Sequence, residues 1–381
     1  MVPEPSGDVI RLARPDIDDS DCRAVAEVLR TGWLVQGSRV AEFERRVAAR
    51  AGTEHAVAVA NCTSALHLAL LALDVGPGDA VAVAAYSWPA TANVVALCGA
   101  EPLFVDIEPV TWAMNPARLA ATLAENRRVK VVIPVHTFGG LADLPGLLRA
   151  AEPHGVPLVE DAACALGAVL EGRPAGSWGV EGCFSFHPRK VITTGEGGMI
   201  TTSDAALARK ARALRNHGQD PDTPSPDFIL PGFNLRLTDF QGAMGVTQMA
   251  RLDRLLARRR EIAGWYAQAL TGLGVVLPGA LTPESHTYQA YVVLLPAVLA
   301  DRRAALIARL QTRGIETNIG THHLPLTTWC RARGGHRPGE FPITDDVARR
   351  ALALPMHGGV GRAEVERVAE RLGAALRWAA T

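Results

Sequence analysis

The chain predicts an α/β fold, a mostly parallel sheet covered by helices on both faces, followed by a smaller α+β unit at the C-terminal end. Two patterns carry this expectation. Across the first two-thirds, short apolar runs at 55–60, 80–84, 102–107, 129–135, 156–160 and 183–186 are separated by longer stretches of helical composition. Strand, crossover and strand in repetition is the signature of parallel pairing, because parallel neighbours need a long connection and are buried on both faces. The second pattern is length. A chain of 381 residues suggests two units of roughly 100–200 residues each, here 10–245 and 246–381.

Taken in order, the run at 55–60 ends in the polar turn 61–64, and residues 65–73 form a mostly apolar helix stopped by Gly76-Pro77-Gly78. A strand at 80–84 leads to a helix at 91–98 closed by Gly99, and a helix at 144–152 joins two later strands. Four prolines between Gln219 and Phe233 mark a long loop, of the kind that is often functional. A helical stretch from 238 to about 270, rich in arginine, reads as a solvated face linking the two units. Beyond it come a strand at 291–295, a helix at 302–312 stopped by Gly314, a strand at 316–319 and a closing amphipathic helix at 363–379.

Composition excludes several classes. Hydrophobic residues make up 48% and charged residues 20%, enough for a sizeable core and too apolar for disorder. The 39 basic and 39 acidic residues cancel, with no basic block, so neither nucleic acid nor an anionic membrane is an expected partner. The cysteines at 22, 62, 98, 164, 183 and 330 have no metal-binding spacing and read as free thiols, and no metal is expected. The first eight residues lack a basic start followed by an apolar stretch, and no window is long and apolar enough to span a bilayer. The expected location is the cytoplasm.

Chemistry concentrates where the predicted strands end. Asn61-Cys62-Thr63-Ser64 stands between a strand and a helix; it reads as a plain helix cap or as an anion site built from hydroxyls and free N–H groups. Trp88, in Tyr86-Ser87-Trp88-Pro89-Ala90-Thr91-Ala92-Asn93, is either a core aromatic or a platform for a flat ligand. Asp161, in Glu160-Asp161-Ala162-Ala163-Cys164, is a carboxylate in apolar surroundings that needs a cation: an ion pair, a cap, or a protonated pyridine. Lys190 lies in Phe184-Ser185-Phe186-His187-Pro188-Arg189-Lys190-Val191-Ile192-Thr193-Thr194-Gly195-Glu196-Gly197-Gly198, a half-buried strand pattern leading into a tight, small, polar loop. A phosphate cradle, a stacking aromatic, a pyridinium partner and an imine-forming lysine, in that order, are what pyridoxal phosphate requires.

These runs, with Gly232-Phe233-Asn234-Leu235-Arg236-Leu237-Thr238-Asp239-Phe240-Gln241 and weaker matches at 286–291 and 314–325, resemble the DegT/DnrJ/EryC1/StrS family of pyridoxal-phosphate-dependent sugar aminotransferases. The resemblance implies fold type I, a large domain with a mostly parallel sheet of the seven-stranded type and a smaller C-terminal α+β domain. It implies that Lys190 carries the cofactor as an imine and Asp161 holds its ring nitrogen protonated. Trp88 would stack on the ring, and Thr63, Ser64 and Ser185 would bind the phosphate. Asn234 would reach the phosphate of a neighbouring subunit, making a homodimer with shared sites. Cys164 departs from the family's usual glutamine or histidine at the ring oxygen, and a thiol is a weaker donor.

The implied activity is ping-pong transfer of an amino group from an amino acid, L-glutamate foremost, to a keto sugar. The lysine flanks are similar to members acting at C4 of nucleotide-linked 4-keto-6-deoxy sugars, in antibiotic or surface-glycan biosynthesis. A 3-keto sugar, a cyclitol ketone and a non-catalytic helper role stay open. A dehydratase relative would carry histidine at position 190. A Cys164 hydrolase lacks the turn a nucleophile needs. Candidate substrate contacts are His187, Arg189, His217, Arg236, His322 and His323, with Arg215 a further cation for a diphosphate.

Overall fold

A computed structural model of the protein describes residues 9–223 and 227–381. The expectations placed on residues 1–8 and on Pro224 and Pro226 lie outside the described residues. Strands β1 (His55–Val59), β2 (Ala80–Ala84), β3 (Glu101–Val105), β4 (Val129–Ile133), β5 (Val159–Asp161), β6 (Glu181–Ser185) and β7 (Gly198–Thr202) build the main sheet. A three-stranded ladder β3-β2-β4 and a four-stranded ladder β5-β6-β7-β1 are joined by parallel bridges at Val132–Leu158 and Val135–Asp161 into one seven-stranded sheet. Pairing is parallel throughout except at β7, which runs antiparallel to both neighbours. The mostly parallel, seven-stranded expectation therefore holds.

Strand residues alternate between two helix layers, as the period of two demands. Ala56 and Ala58 of β1 and Ala80, Ala82 and Ala84 of β2 face one apolar cluster, while Val57, Val59, Val81 and Val83 face the other. On the first face pack α2 (Ser38–Ala51), α5 (Pro116–Glu125), α6 (Leu144–Ala151) and parts of α8 (Asp239–Ala250) and α9 (Leu252–Ala269). On the second lie α3 (Cys62–Ala72), α4 (Ala90–Leu97) and α7 (Ala205–Arg215). The N-terminal helix α1 (Asp19–Thr31) docks on α8.

A third cluster joins α9, α10 (Arg303–Thr312), α13 (Arg362–Ala380) and the antiparallel pair β8 (Tyr291–Leu294) and β9 (Ala351–Leu354). The short helix α11 (Thr328–Gly334) faces β3 across a second cavity, and α12 (Pro342–Arg350) follows it. The divide expected between residues 245 and 246 falls within α8. Helix α9 serves both cores, with Leu252, Leu255 and Leu256 in the first cluster and Ile262, Ala263 and Tyr266 in the third. None of the described helices is long and apolar enough to cross a membrane.

Four local expectations are corrected. The helical stretch from 238 breaks at Arg251, whose guanidinium is held by Asp18, by Asp21 at 2.6 Å and by the carbonyl of Asp16. The arginines there are not one solvated face. Arg259 is buried and donates to the carbonyls of Tyr288, Gln289 and Met356. Residues 316–319 form no strand: one bridge, Asn318 to Ala353, is made before Gly320 turns away at a φ of 83°. The turn expected at 61–64 is the start of α3, with Asn61 as its cap.

Candidate active site

The carboxyl ends of β2, β5 and β6 open onto a cavity of about 720 Å³. Lys190 and Asp161 both line it. After β6 the chain makes a tight turn in which the Lys190 N–H donates to the His187 carbonyl at 2.8 Å. Phe186 anchors that turn from the core: its N–H donates to the Gly197 carbonyl, and its own carbonyl accepts from the Thr194 N–H and the Thr193 hydroxyl. The lysine side chain is thereby projected back over the sheet, with Nζ 3.0 Å from Cys164 Sγ.

Asp161 ends β5 and is 6% exposed. Its Oδ2 accepts from Thr91 Oγ1 at 2.8 Å and its Oδ1 from the Ala163 N–H at 3.3 Å. Burial pushes this carboxyl above the usual range; the two hydrogen bonds and the charge of Lys190 oppose the shift without cancelling it. For Lys190, burial opposes the ammonium, but Cys164, Cys62 and Asp161 outweigh it and the net displacement is upward.

At the opposite wall α3 begins. Asn61 Oδ1 accepts from both the backbone N–H and the hydroxyl of Ser64, at 2.9 and 3.0 Å. A side chain at Gly198 would put Cβ 2.4 Å from the Asn61 carbonyl, so only glycine lets β7 approach this corner. Thr63 is exposed on the first turn, and Ser64 and Ser185 complete a polar corner at the positive end of the helix dipole. Trp88 is 55% exposed at the cavity, between the Arg189 guanidinium carbon at 5.9 Å and the His322 ring at 5.3 Å from its ring centroid.

The structure thus gathers Thr63, Ser64, Trp88, Asp161, Cys164, Ser185, His187, Arg189 and Lys190 on one cavity. Burial dominates in lowering the His187 pKa, which favours the neutral ring. Five other expected contacts lie outside the cavity. His217 and Asn234 are exposed, Arg236 donates to Asn216 Oδ1, His322 stands behind Trp88 without lining the cavity, and His323 sits 3.2 Å from Asp345. Arg215 is buried on Glu44 and the Ala58 carbonyl, so it is not free for a diphosphate.

The sequence reading passed over His136 and Glu160. Glu160 is fully buried and accepts N–H bonds from Gly176, Trp178 and Gly179, together with a 2.9 Å contact to His136 Nε2. Because His136 Nδ1 accepts from the Ala142 N–H, Nε2 carries the proton that Glu160 receives. Gln289, Asn318 and Thr321 also line the cavity. They fall within the weaker matches at 286–291 and 314–325, which carried no role for these three residues.

A cavity with a reactive amine, a buried carboxylate raised for want of a cation, and an anion corner defines a site for a phosphorylated pyridine aldehyde. Comparison with known proteins agrees. The model of the DegT/DnrJ/EryC1/StrS aminotransferase family matches residues 15–373, and the chain belongs to that family. It is 38% identical to a GDP-perosamine synthase of Caulobacter vibrioides over 94% of this chain and 96% of that one. It is 33% identical to a UDP-4-amino-4-deoxy-L-arabinose–oxoglutarate aminotransferase of Shewanella sediminis, over 95% and 97% of the two chains. Among solved structures, the PMP-form of the putative sugar aminotransferase Spr1654 from Streptococcus pneumoniae superimposes with a TM-score of 0.92 at 28% identity, covering 98% of both chains. The protein is a pyridoxal-phosphate-dependent sugar aminotransferase of fold type I, an enzyme of amino-sugar biosynthesis.

Proposed function

We propose that the enzyme transfers the amino group of L-glutamate to C4 of a nucleotide-linked 4-keto-6-deoxy sugar, as a cytoplasmic homodimer with shared sites. The observation that carries the chemistry is the convergence of Lys190 and Asp161 on one cavity. Bound there, pyridoxal phosphate supplies an electron sink for the carbon that gains or loses the amino group. Thr63, Ser64 and Ser185 receive the phosphate at the start of α3, Asp161 pairs with the ring nitrogen, and Trp88 covers the ring face. Lys190 Nζ, once free, takes the proton from the donor's α-carbon and later delivers a proton to the sugar carbon. Cys164 Sγ, 3.0 Å from Nζ, borders that transfer.

Three features support the substrate. The name of one relative carries a 4-amino-4-deoxy sugar, a nucleotide and oxoglutarate, the keto acid left when glutamate gives up its amine; the name of another carries a nucleotide. Arg189 lines the cavity and leans on Trp88, an exposed guanidinium beside Lys190 for the carboxylate of a donor or the diphosphate of a sugar nucleotide. Gln289, Asn318 and Thr321 add the neutral donors and acceptors that sugar hydroxyls need.

The test is an absorbance spectrum of the cofactor-loaded protein before and after L-glutamate. The expected result is loss of the band near ~410–430 nm and growth near ~330 nm. A panel of nucleotide-linked keto sugars, differing in the keto position, is then screened for the one that restores the first band, with the aminated product identified by mass. A spectrum indifferent to glutamate rejects this donor. Recovery with a 3-keto sugar or a cyclitol ketone, and not with any 4-keto sugar, rejects the substrate assignment.

A further inference from the structure

Asp161 poses an electrostatic problem that the cavity alone does not solve. A carboxylate 6% exposed is driven by burial to take up a proton, and once protonated it no longer offers charge to a pyridinium. Among the described residues, the only side-chain hydrogen bond it receives is from Thr91 Oγ1, at 2.8 Å to Oδ2. Thr91 has one hydroxyl hydrogen, and Asp161, when ionised, only accepts. The contact of 2.9 Å between Thr91 Oγ1 and Ser87 Oγ must therefore run from Ser87 to Thr91. Hydrogen count fixes the direction: Ser87 donates to Thr91, and Thr91 donates to Asp161. Thr91 is 0% and Ser87 2% exposed, so water does not compete, and such chained bonds strengthen one another.

The placement is as informative as the distances. Ser87 pairs with His322 in a two-residue ladder just beyond β2, and Thr91 lies in the first turn of α4. Trp88 stands between them. One five-residue junction thus presents the aromatic at the cavity and, through Thr91, sets the carboxylate reached from a strand 70 residues later. In the first turn of a helix a threonine has no preceding turn whose carbonyl could take its hydroxyl. Here the hydroxyl is directed across the site instead.

We propose that Thr91, oriented by Ser87, is a positioning residue that holds the Asp161 carboxylate ionised and aimed at the pyridine nitrogen. This rests on the pairing of Asp161 with that nitrogen, proposed above. The test uses pyridoxal phosphate labelled with 15N in the ring, bound to the wild type and to Thr91→Val, Thr91→Ser, Ser87→Ala and Asp161→Asn. The ring-nitrogen chemical shift is followed against pH, together with the dissociation constant of the cofactor.

Thr91→Val is expected to move the ring signal from the protonated toward the neutral position. It should also weaken cofactor binding by roughly tenfold, or about 1.4 kcal/mol, while Thr91→Ser retains the wild-type titration. Ser87→Ala reads the same relay with the Thr91 methyl packing intact and should give a smaller shift of the same sign. Wild-type titrations in Ser87→Ala and Thr91→Val, with the signal lost in Asp161→Asn, overturn the relay alone. An unchanged ring signal in Asp161→Asn overturns the pairing itself, and the relay with it.

Discussion

The pair Lys190 and Cys164 shows how one side chain sets the readiness of another. Burial opposes the Lys190 ammonium, Cys164 is the leading influence restoring it, and the net pKa is raised. The amine must be neutral to attack an aldehyde, so a raised pKa keeps the unloaded enzyme slow to take up cofactor until the pH climbs. Replacing Cys164 with alanine removes the leading upward influence and leaves burial, which acts downward. The midpoint of cofactor uptake against pH is therefore expected to move to lower pH in Cys164→Ala. Stopped-flow absorbance after mixing apoenzyme with pyridoxal phosphate measures it; a midpoint that stays or rises removes Cys164 from this role. At this scale much of the site was legible. Lys190, Asp161, Trp88, Thr63, Ser64 and Ser185 each sit in a local run whose residue types fit the chemistry, and the cavity gathers them. Thr91 was quoted within such a run and given no role, because its partner lies 70 residues away. Arg236 and His323 were chosen as cations for a diphosphate and His217 for sugar hydroxyls, and residue type alone does not say which way a side chain faces.

Among the elements, the best read were those whose pattern agrees with their burial, and β6 shows why others slipped. The apolar run suggested a strand beginning at Cys183, whereas β6 begins two residues earlier, at Glu181. A carboxylate contradicts the pattern of a buried strand, yet Glu181 is 0% exposed and both its oxygens lack a hydrogen-bond partner among the described residues. Likewise β7 is absent from the expected strands, since the tight polar loop was read to Gly198 and nothing was assigned directly beyond it; all five of its residues are buried. The acid in β6 has a thermodynamic signature. Burial, then Asp204, push its pKa well above 4.5, with Lys210 opposing. Between the unfolded and folded values the native state holds a proton that the unfolded chain has released, so this group's contribution to stability falls as pH rises above about 4.5. Glu181→Gln keeps the shape and removes the ionisation. It is expected to flatten that slope and to stabilise the fold more at neutral pH than at low pH. Denaturant titrations of wild type and variant across pH measure both effects, and parallel pH profiles would contradict the assignment.

For the whole molecule, the question is whether one chain makes a complete site. The large unit, the second core and the cavity at the strand ends followed from alternation and length, since each depends on periodicity the sequence displays. What covers the outer surface does not. From Phe228 to Asp239 the chain presents Phe228, Ile229 and Phe233 at 62%, 42% and 40% exposure, and next to it Leu34 and Val35 pair with backbone at 237–239 while Trp33 stands 65% exposed. Exposed apolar side chains such as these are what the proposed homodimer would cover. Asn234 lies in its midst, exposed and outside its own chain's cavity. If a second copy covers this surface, Asn234 is carried to the partner's phosphate corner, and each site draws Lys190 from one chain and Asn234 from the other. Sedimentation should then give twice the 40.5 kDa chain mass, and Val35→Asp combined with Phe233→Asp should give monomers that lose the cofactor. The sharing itself is tested by complementation. Lys190→Ala and Asn234→Ala chains, each impaired alone, are unfolded together and refolded. Every mixed dimer then holds one site with both residues intact and one with neither, so activity should exceed that of either parent. Mixed dimers no more active than the parents would mean that each chain supplies its own phosphate contacts, and that the exposed asparagine serves the interface alone.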